Sequence, residues 1–213
     1  MSTYKHIFEA AQKGSVADVA FFIEKLGDDV TNVNLILAAA ENEDIEVLMY
    51  LISKGADLNA KRDSGEEVWG GQTLLHSAAR SNNNIAVLEY LISNGADINA
   101  KDDEGKTPLH YAAHNKISHV IRFLIRQGAD INAKDKYGNT ALDEAYTGEQ
   151  RHTSQYGNLN PYSKALVQNI NLLREAGGVC GKKGCLVFIA ALGALLSSGI
   201  CGLALFIATA WKF

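Results

Sequence analysis

The sequence predicts an all-α solenoid of about five helix-turn-helix units with hairpin loops, followed by one C-terminal transmembrane helix. Three observations predict it. A 33-residue pattern at 107–139 recurs in register along the chain. A unit of that size cannot bury its own apolar face, so it needs stacked neighbours. Finally, residues 186–210 are 25 positions without a charge.

Each part of the 107–139 unit has a physical reading. Thr107 is a helix-capping residue, and Pro108 suits the first helical position, where no N–H is needed. Leu109, Ala112 and Ala113 make one apolar face, and the alanines are small enough for close helix contact. Val120, Ile121, Leu124 and Ile125 form the stripe of a second helix. Gly128 stands where a left-handed C-terminal cap is wanted. Gly138, within Asp-Lys-Tyr-Gly, marks a tight turn.

The neighbours repeat it. Thr-Leu-Leu-His-Ser-Ala-Ala (73–79) copies the first helix of Thr-Pro-Leu-His-Tyr-Ala-Ala (107–113). Gly-Ala-Asp recurs at 55–57, 95–97 and 128–130. This pattern resembles the ankyrin repeat family, over most of the first 178 residues. The repeats fall at about 4–34, 35–72, 73–106, 107–139 and 140–178. The first is degenerate, with His6, Ile7, Ala10 and Ala11 in first-helix positions and Val19, Phe22, Ile23 and Leu26 in second-helix spacing. In the second, Ile36, Ala39 and Ala40 precede Val47, Leu48, Leu51 and Ile52. Its loop is long: Gly55 to Thr73 is 18 positions, whereas Gly95 to Thr107 and Gly128 to Thr140 are 12. The addition lies within 64–71 and carries Val68 and Trp69. An exposed aromatic at a hairpin tip is a contact candidate, and folding back on its own hairpin is the other reading. The fifth repeat starts at Thr140, breaks at a polar stretch from Tyr146 to Pro161, and resumes with Ala165, Leu166, Ile170, Leu172 and Leu173.

Composition restricts the function. Apolar residues make up 47% and charged residues 21%, which is globular rather than disordered. Lys182, Lys183 and Lys212 lie in the last 35 residues, which hold no acid. The first 178 therefore carry 17 basic and 24 acidic side chains, a net of −7. Such a domain repels phosphate backbones, so no nucleic-acid partner is expected. Residues 1–13 contain no apolar run of signal-peptide length. Cys180, Cys185 and Cys201 all follow the repeats, so no disulfide framework is expected in the stack.

As a helix, 186–210 is about 37 Å long, enough to cross a hydrocarbon core of about 30 Å with some tilt. Lys182 and Lys183 precede it and Trp211-Lys212 follows, in the manner of interfacial anchors. A buried core helix is the other reading, but a repeat stack needs none. Residues 179–185 form a juxtamembrane linker, in which Cys180 and Cys185 are either acylation sites or ordinary thiols. Ala190, Ala194, Ser198 and Gly202 recur at intervals of four, with Gly193, Ser197 and Cys201 beside them. This small-residue stripe allows close helix approach and homo-oligomer formation, although small residues are common in such segments. The lysine pair before the segment favours a cytosolic repeat domain on a single-pass membrane protein.

Catalytic motifs do not assemble. His110, His114 and His119 share one repeat, but His76 stands to Thr73 as His110 does to Thr107, which a repeat requires and a unique metal site does not. The resemblance implies that these histidines bond the loop backbone and the threonine. Gly105-Lys106-Thr107 lacks the glycine five positions earlier that a phosphate loop needs. No nucleophile meets a base and an orienter, so no enzyme, cofactor or metal is expected.

The resemblance implies binding of a protein partner through hairpin tips and a groove lined by first helices. The family's variable positions fall on Asp103 and Glu104, on Lys136 and Tyr137, and on Ser77, Tyr111 and Glu144. Arg80 and His114 lie one turn further, and Trp69 joins them. Aromatics with both signs of charge suit a peptide epitope better than an apolar small molecule. The expectation is a tail-anchored adaptor; the alternative is a membrane-organising protein that self-associates through its transmembrane helix. The irregular fingers and tail also resemble ankyrin proteins of intracellular bacteria, which implies action on host proteins.

Overall fold

The computed structural model describes residues 6–26, 32–62, 70–81, 84–113, 118–147 and 161–181. These form successive helix pairs. The first pair is α1 (Ile7–Lys13) and α2 (Val16–Phe21), the latter running into a π-helical turn at Phe22–Leu26. The next are α3 (Val33–Ala40) with α4 (Ile45–Ser53), α5 (Leu74–Ser81) with α6 (Ile85–Ser93), and α7 (Pro108–Ala113) with α8 (Ser118–Arg126). The last pair is α9 (141–147) and α10 (Pro161–Glu175). Among the described residues there is no strand, only an isolated antiparallel bridge between Lys61 and Thr73. The all-helical solenoid expected from the repeats is what is observed.

First helices pack on first helices, α1 on α3, α3 on α5 and α5 on α7, while each also packs on its own second helix. The double alanines make this possible. Ala10 and Ala11, Ala39 and Ala40, Ala78 and Ala79, and Ala112 and Ala113 are all fully buried. A larger side chain at these contacts would hold the helices apart. The larger core residues sit between the two rows: Leu48, Leu51, Leu88, Leu91, Ile121 and Leu124. Gly55, Gly95, Gly128 and Gly177 follow second helices with φ of 90–101°. The cap expected at Gly128 is therefore present at all four places.

Asparagines stitch neighbouring repeats. Buried Asn42 donates through Nδ2 to Ala11 O and Gly14 O, both at 2.9 Å. Asn84 Nδ2 donates to Glu43 O at 2.6 Å, and buried Asn169 Nδ2 to Ala113 O at 3.1 Å. Each satisfies a carbonyl at or beyond the end of a helix in the preceding repeat, where the intrahelical donors have run out.

Two features differ from the sequence reading. The fifth repeat's first helix does not break at Tyr146 but runs through 147. Tyr146 takes the second-alanine position and is half-buried, with the Arg174 guanidinium 5.9 Å from its ring. After α10, the chain at 178–181 lies back on the stack. Val179 N donates to Asn132 Oδ1 at 2.8 Å, and Gly181 N to Asp143 Oδ2 at 2.6 Å. No helix among the described residues is long and apolar enough to cross a membrane. The segment 186–210, with Ala190, Gly193, Ala194, Ser197, Ser198, Cys201 and Gly202, lies outside the described residues, as do Trp69 and His114.

Candidate protein-binding surface

The fingers are built on carboxylates that close their own turns. Asp102 Oδ1 accepts from Glu104 N at 2.9 Å and Lys106 N at 2.8 Å. Asp135 Oδ1 accepts from Tyr137 N and Asn139 N, both at 2.8 Å. Adjacent fingers are then joined through the backbone. Asp103 N donates to Gly70 O at 3.2 Å, and Lys136 N to Glu104 O at 2.9 Å. This lacing needs glycine. Gly71 has φ +72°, and a Cβ there would lie 2.4 Å from Asp103 Oδ1; Gly105 has φ +74°, and its Cβ would lie 3.0 Å from Lys136 N. Both the conformation and the space exclude a side chain.

The signature histidines hold each finger to the helix behind it. His76 Nδ1 accepts from Thr73 N at 3.2 Å, and His110 Nδ1 from Thr107 N at 3.1 Å. A backbone N–H only donates, so the ring proton is on Nε2. Nε2 then donates to the next finger's carbonyl, Lys106 O at 3.0 Å and Asn139 O at 3.2 Å. Burial lowers both histidine pKa values below 6.5, which keeps this neutral tautomer. The structural role implied for these histidines is thus observed. Among the described residues no three metal-ligating side chains come together.

The ten residues read as contact candidates divide into four groups, exposed, half-buried, buried and outside the described residues. Asp103, Lys136 and Tyr137 are exposed, Tyr137 by 53%. Lys136 Nζ pairs with Glu104 Oε1 on the neighbouring finger and lies 5.1 Å from the Tyr137 ring centroid. That pairing raises the Lys136 pKa. Arg80, Glu104 and Glu144 are half-buried, Arg80 in an ion pair with Glu41 at 2.5 Å and Glu144 with Lys106 at 3.1 Å. Trp69 and His114 are the two outside the described residues.

Ser77 and Tyr111 are corrections. Both were expected on the groove surface, and both are buried. Tyr111 turns inward because partners await its hydroxyl. The OH donates to Asp102 Oδ2 at 2.6 Å and accepts from Gln72 Nε2 at 2.8 Å. Its ring stands edge-on to His76, 5.4 Å between centroids. Burial raises its pKa well above the ordinary tyrosine value, and the bond to the Asp102 carboxylate adds to the shift. Ser77 is buried on α5, the helix that packs between α3 and α7.

A groove of about 590 Å³ lies along the first helices α1, α3 and α5, lined among others by Phe8, Gln12, Ala38, Glu41, Arg62 and Arg80. Of these only Arg80 stands out in the sequence. Gln12 Nε2 donates to Glu41 Oε2 at 2.6 Å, so Glu41 joins α1 to α5. Spacing alone carries no signal for Arg62, which reaches the groove from the base of the long finger. The opposite side has a second groove of about 530 Å³ between α4, α6 and α8, lined by Ile45, Tyr90 and Phe123.

No curated protein matches this chain. A family model does. The model described as ankyrin repeats in three copies matches residues 7–102 and again 75–156, together covering most of the sequence. With paired helices, laced fingers and threonine-histidine clamps also in place, the chain belongs to the ankyrin repeat family.

Proposed function

We propose that the protein is a membrane-anchored adaptor that binds a protein partner through its fingers and first-helix groove. The ankyrin repeats support a role in protein–protein interaction. The observation that carries the finer reading is the lacing of fingers through Asp103 N to Gly70 O and Lys136 N to Glu104 O. It makes a pre-ordered surface with Tyr137 and Asp103 standing out, and pre-ordering lowers the entropy cost of association. The repeat domain faces the cytosol, held by residues 186–210 as a single-pass anchor. The protein acts by binding and localisation, not by catalysis. The anchor rests on the uncharged sequence and its flanking Lys182, Lys183 and Lys212.

Site-specific photo-cross-linking of the membrane-inserted full-length protein tests it. A crosslinker at Tyr137 or Phe8 is expected to capture a discrete partner, and one at Met49 none. Equal capture from all three would sink the surface assignment. Release of the protein by alkaline carbonate would sink the anchor. The small-residue stripe supports a second reading, self-association in the bilayer. Loss of oligomers in Gly202→Leu with partner capture intact would favour it.

A further inference from the structure

We propose that the groove along α1, α3 and α5 receives an acidic side chain of the partner protein, taken by Arg62, with an apolar neighbour of that acid against Phe8. This rests on the protein-binding reading and names the chemistry of the partner.

Arg62 is held in place by its backbone. Its N–H donates to Gln72 O and its carbonyl accepts from Gly71 N, both at 2.8 Å. Its half-buried side chain lines the groove. Nε is removed from solvent, and among the described residues no acceptor reaches it. A buried guanidinium N–H without an acceptor is costly, and a carboxylate matches the group's planar fork. The other cation is already balanced: Arg80 is 2.5 Å from Glu41 Oε1, while Gln12 holds Oε2. Glu41 is therefore not available to Arg62 without giving up those bonds.

The lining selects among anions. Glu9 and Glu41 stand against Arg62 and Arg80, so the groove's formal charges cancel. With no net charge to draw it in, a multiply charged phosphate gains little there, whereas a single carboxylate needs only the one guanidinium whose Nε has no partner. Phe8 is 41% exposed, and with Ala38 it offers apolar surface beside the acid site. The walls come from three successive first helices, so a bound segment runs along the stack. An Asp or Glu inside a segment fits that course better than a chain terminus.

Acetylated, amidated octapeptides with one central Glu flanked by Leu and Phe, and their Gln counterparts, provide the probe. They are titrated against the detergent-solubilised full-length protein at low ionic strength by fluorescence anisotropy. The Glu peptides are expected to bind about tenfold tighter than the Gln peptides. Arg62→Gln removes the preference, Arg62→Lys keeps part of it, and Lys54→Gln, at the end of α4 and away from the groove, leaves it intact. Equal affinity for both peptides, a preference surviving in Arg62→Gln, or no binding by any peptide would overturn the proposal. So would tighter binding of a free C-terminal carboxylate, or stronger competition by inorganic phosphate than by acetate. If the preference is absent while cross-linking from Phe8 persists, only the Arg62 assignment falls. If cross-linking is also absent, the protein-binding reading falls with it.

Discussion

The fourth and fifth repeats solve one problem with opposite chemistry. In the fourth, His110 links Thr107 to the next finger by accepting at Nδ1 and donating from Nε2 to Asn139 O. In the fifth, Asp143 stands at the histidine's place. Its Oδ2 accepts from Thr140 N at 2.8 Å, Thr140 Oγ1 at 2.9 Å and Gly181 N at 2.6 Å. The segment packed against each clamp decides which chemistry is needed. A finger presents a carbonyl, which wants a donor; the closing segment at 178–181 presents the Gly181 amide N–H, which wants an acceptor. The position is thus read by its neighbour, and a departure from the repeat signature marks where the stack ends.

Breaking the two clamps separates them by size. His110→Ala leaves Thr107 N and Asn139 O unpaired inside the stack and opens a cavity. It is expected to lower stability by about 3 kcal/mol. Asp143→Ala removes a smaller side chain and frees the half-buried Gly181 N–H, whose bond water replaces, and is expected to cost about 1.5 kcal/mol. Urea titration of the detergent-solubilised protein measures both. Equal losses would mean that the closing segment is as integral to the stack as a finger.

Acid tests the same contrast. His76 and His110 have lowered folded pKa values because burial disfavours their charged forms. The unfolded chain therefore binds more protons just below pH 6.5. Stability from these rings is fully present above 6.5 and is lost as pH falls toward their folded pKa values. The loss is up to about 1.4 kcal/mol per histidine per pH unit. Urea midpoints between pH 7.5 and 5.5, with NMR titration of both rings, check it. A flat midpoint with rings that charge near 6.5 would contradict the clamp geometry.

Tyr111→Phe is next. It removes the hydroxyl from Asp102 Oδ2 and Gln72 Nε2 but keeps the ring against His76. About 1 kcal/mol is expected, with faster amide exchange at Asp103, whose N–H reaches Gly70 on the long finger. Glu144 holds the equivalent position in the fifth repeat and meets Lys106 at 3.1 Å, near the surface. Glu144→Gln is expected to change stability by less than about 0.5 kcal/mol.

The difference between these two positions shows what was legible in the sequence. Thr107, His110, Ala112, Ala113 and Gly128 could be read because their partners are copies of themselves one repeat away. Tyr111 could not. Its pocket is made by Gln72 and Asp102, 39 and 9 positions distant, near the ends of the second and third repeats. As a variable position it looked like a contact residue. Its inward turn depends on the long finger's base, as does the reach of Arg62 into the groove. The role of Asp143 does not follow from its place in the repeat, because it lies in Gly181, which returns from beyond α10.

The smallest effect on stability is expected at the most exposed candidates, and there the comparison bears on function. Lys136 joins neighbouring fingers through Glu104 and lies beside the Tyr137 ring. It is exposed, so solvent and salt screen the pair, and its ordering entropy offsets much of the attraction. Lys136→Gln is expected to leave the urea midpoint unchanged, because the finger is already held by Lys136 N to Glu104 O. Partner capture from Tyr137 in the same variant is expected to fall several-fold, since a rim charge steers association without holding the fold. A shifted midpoint with unchanged capture would assign Lys136 to the scaffold, with the buried clamps, instead of to the surface they support.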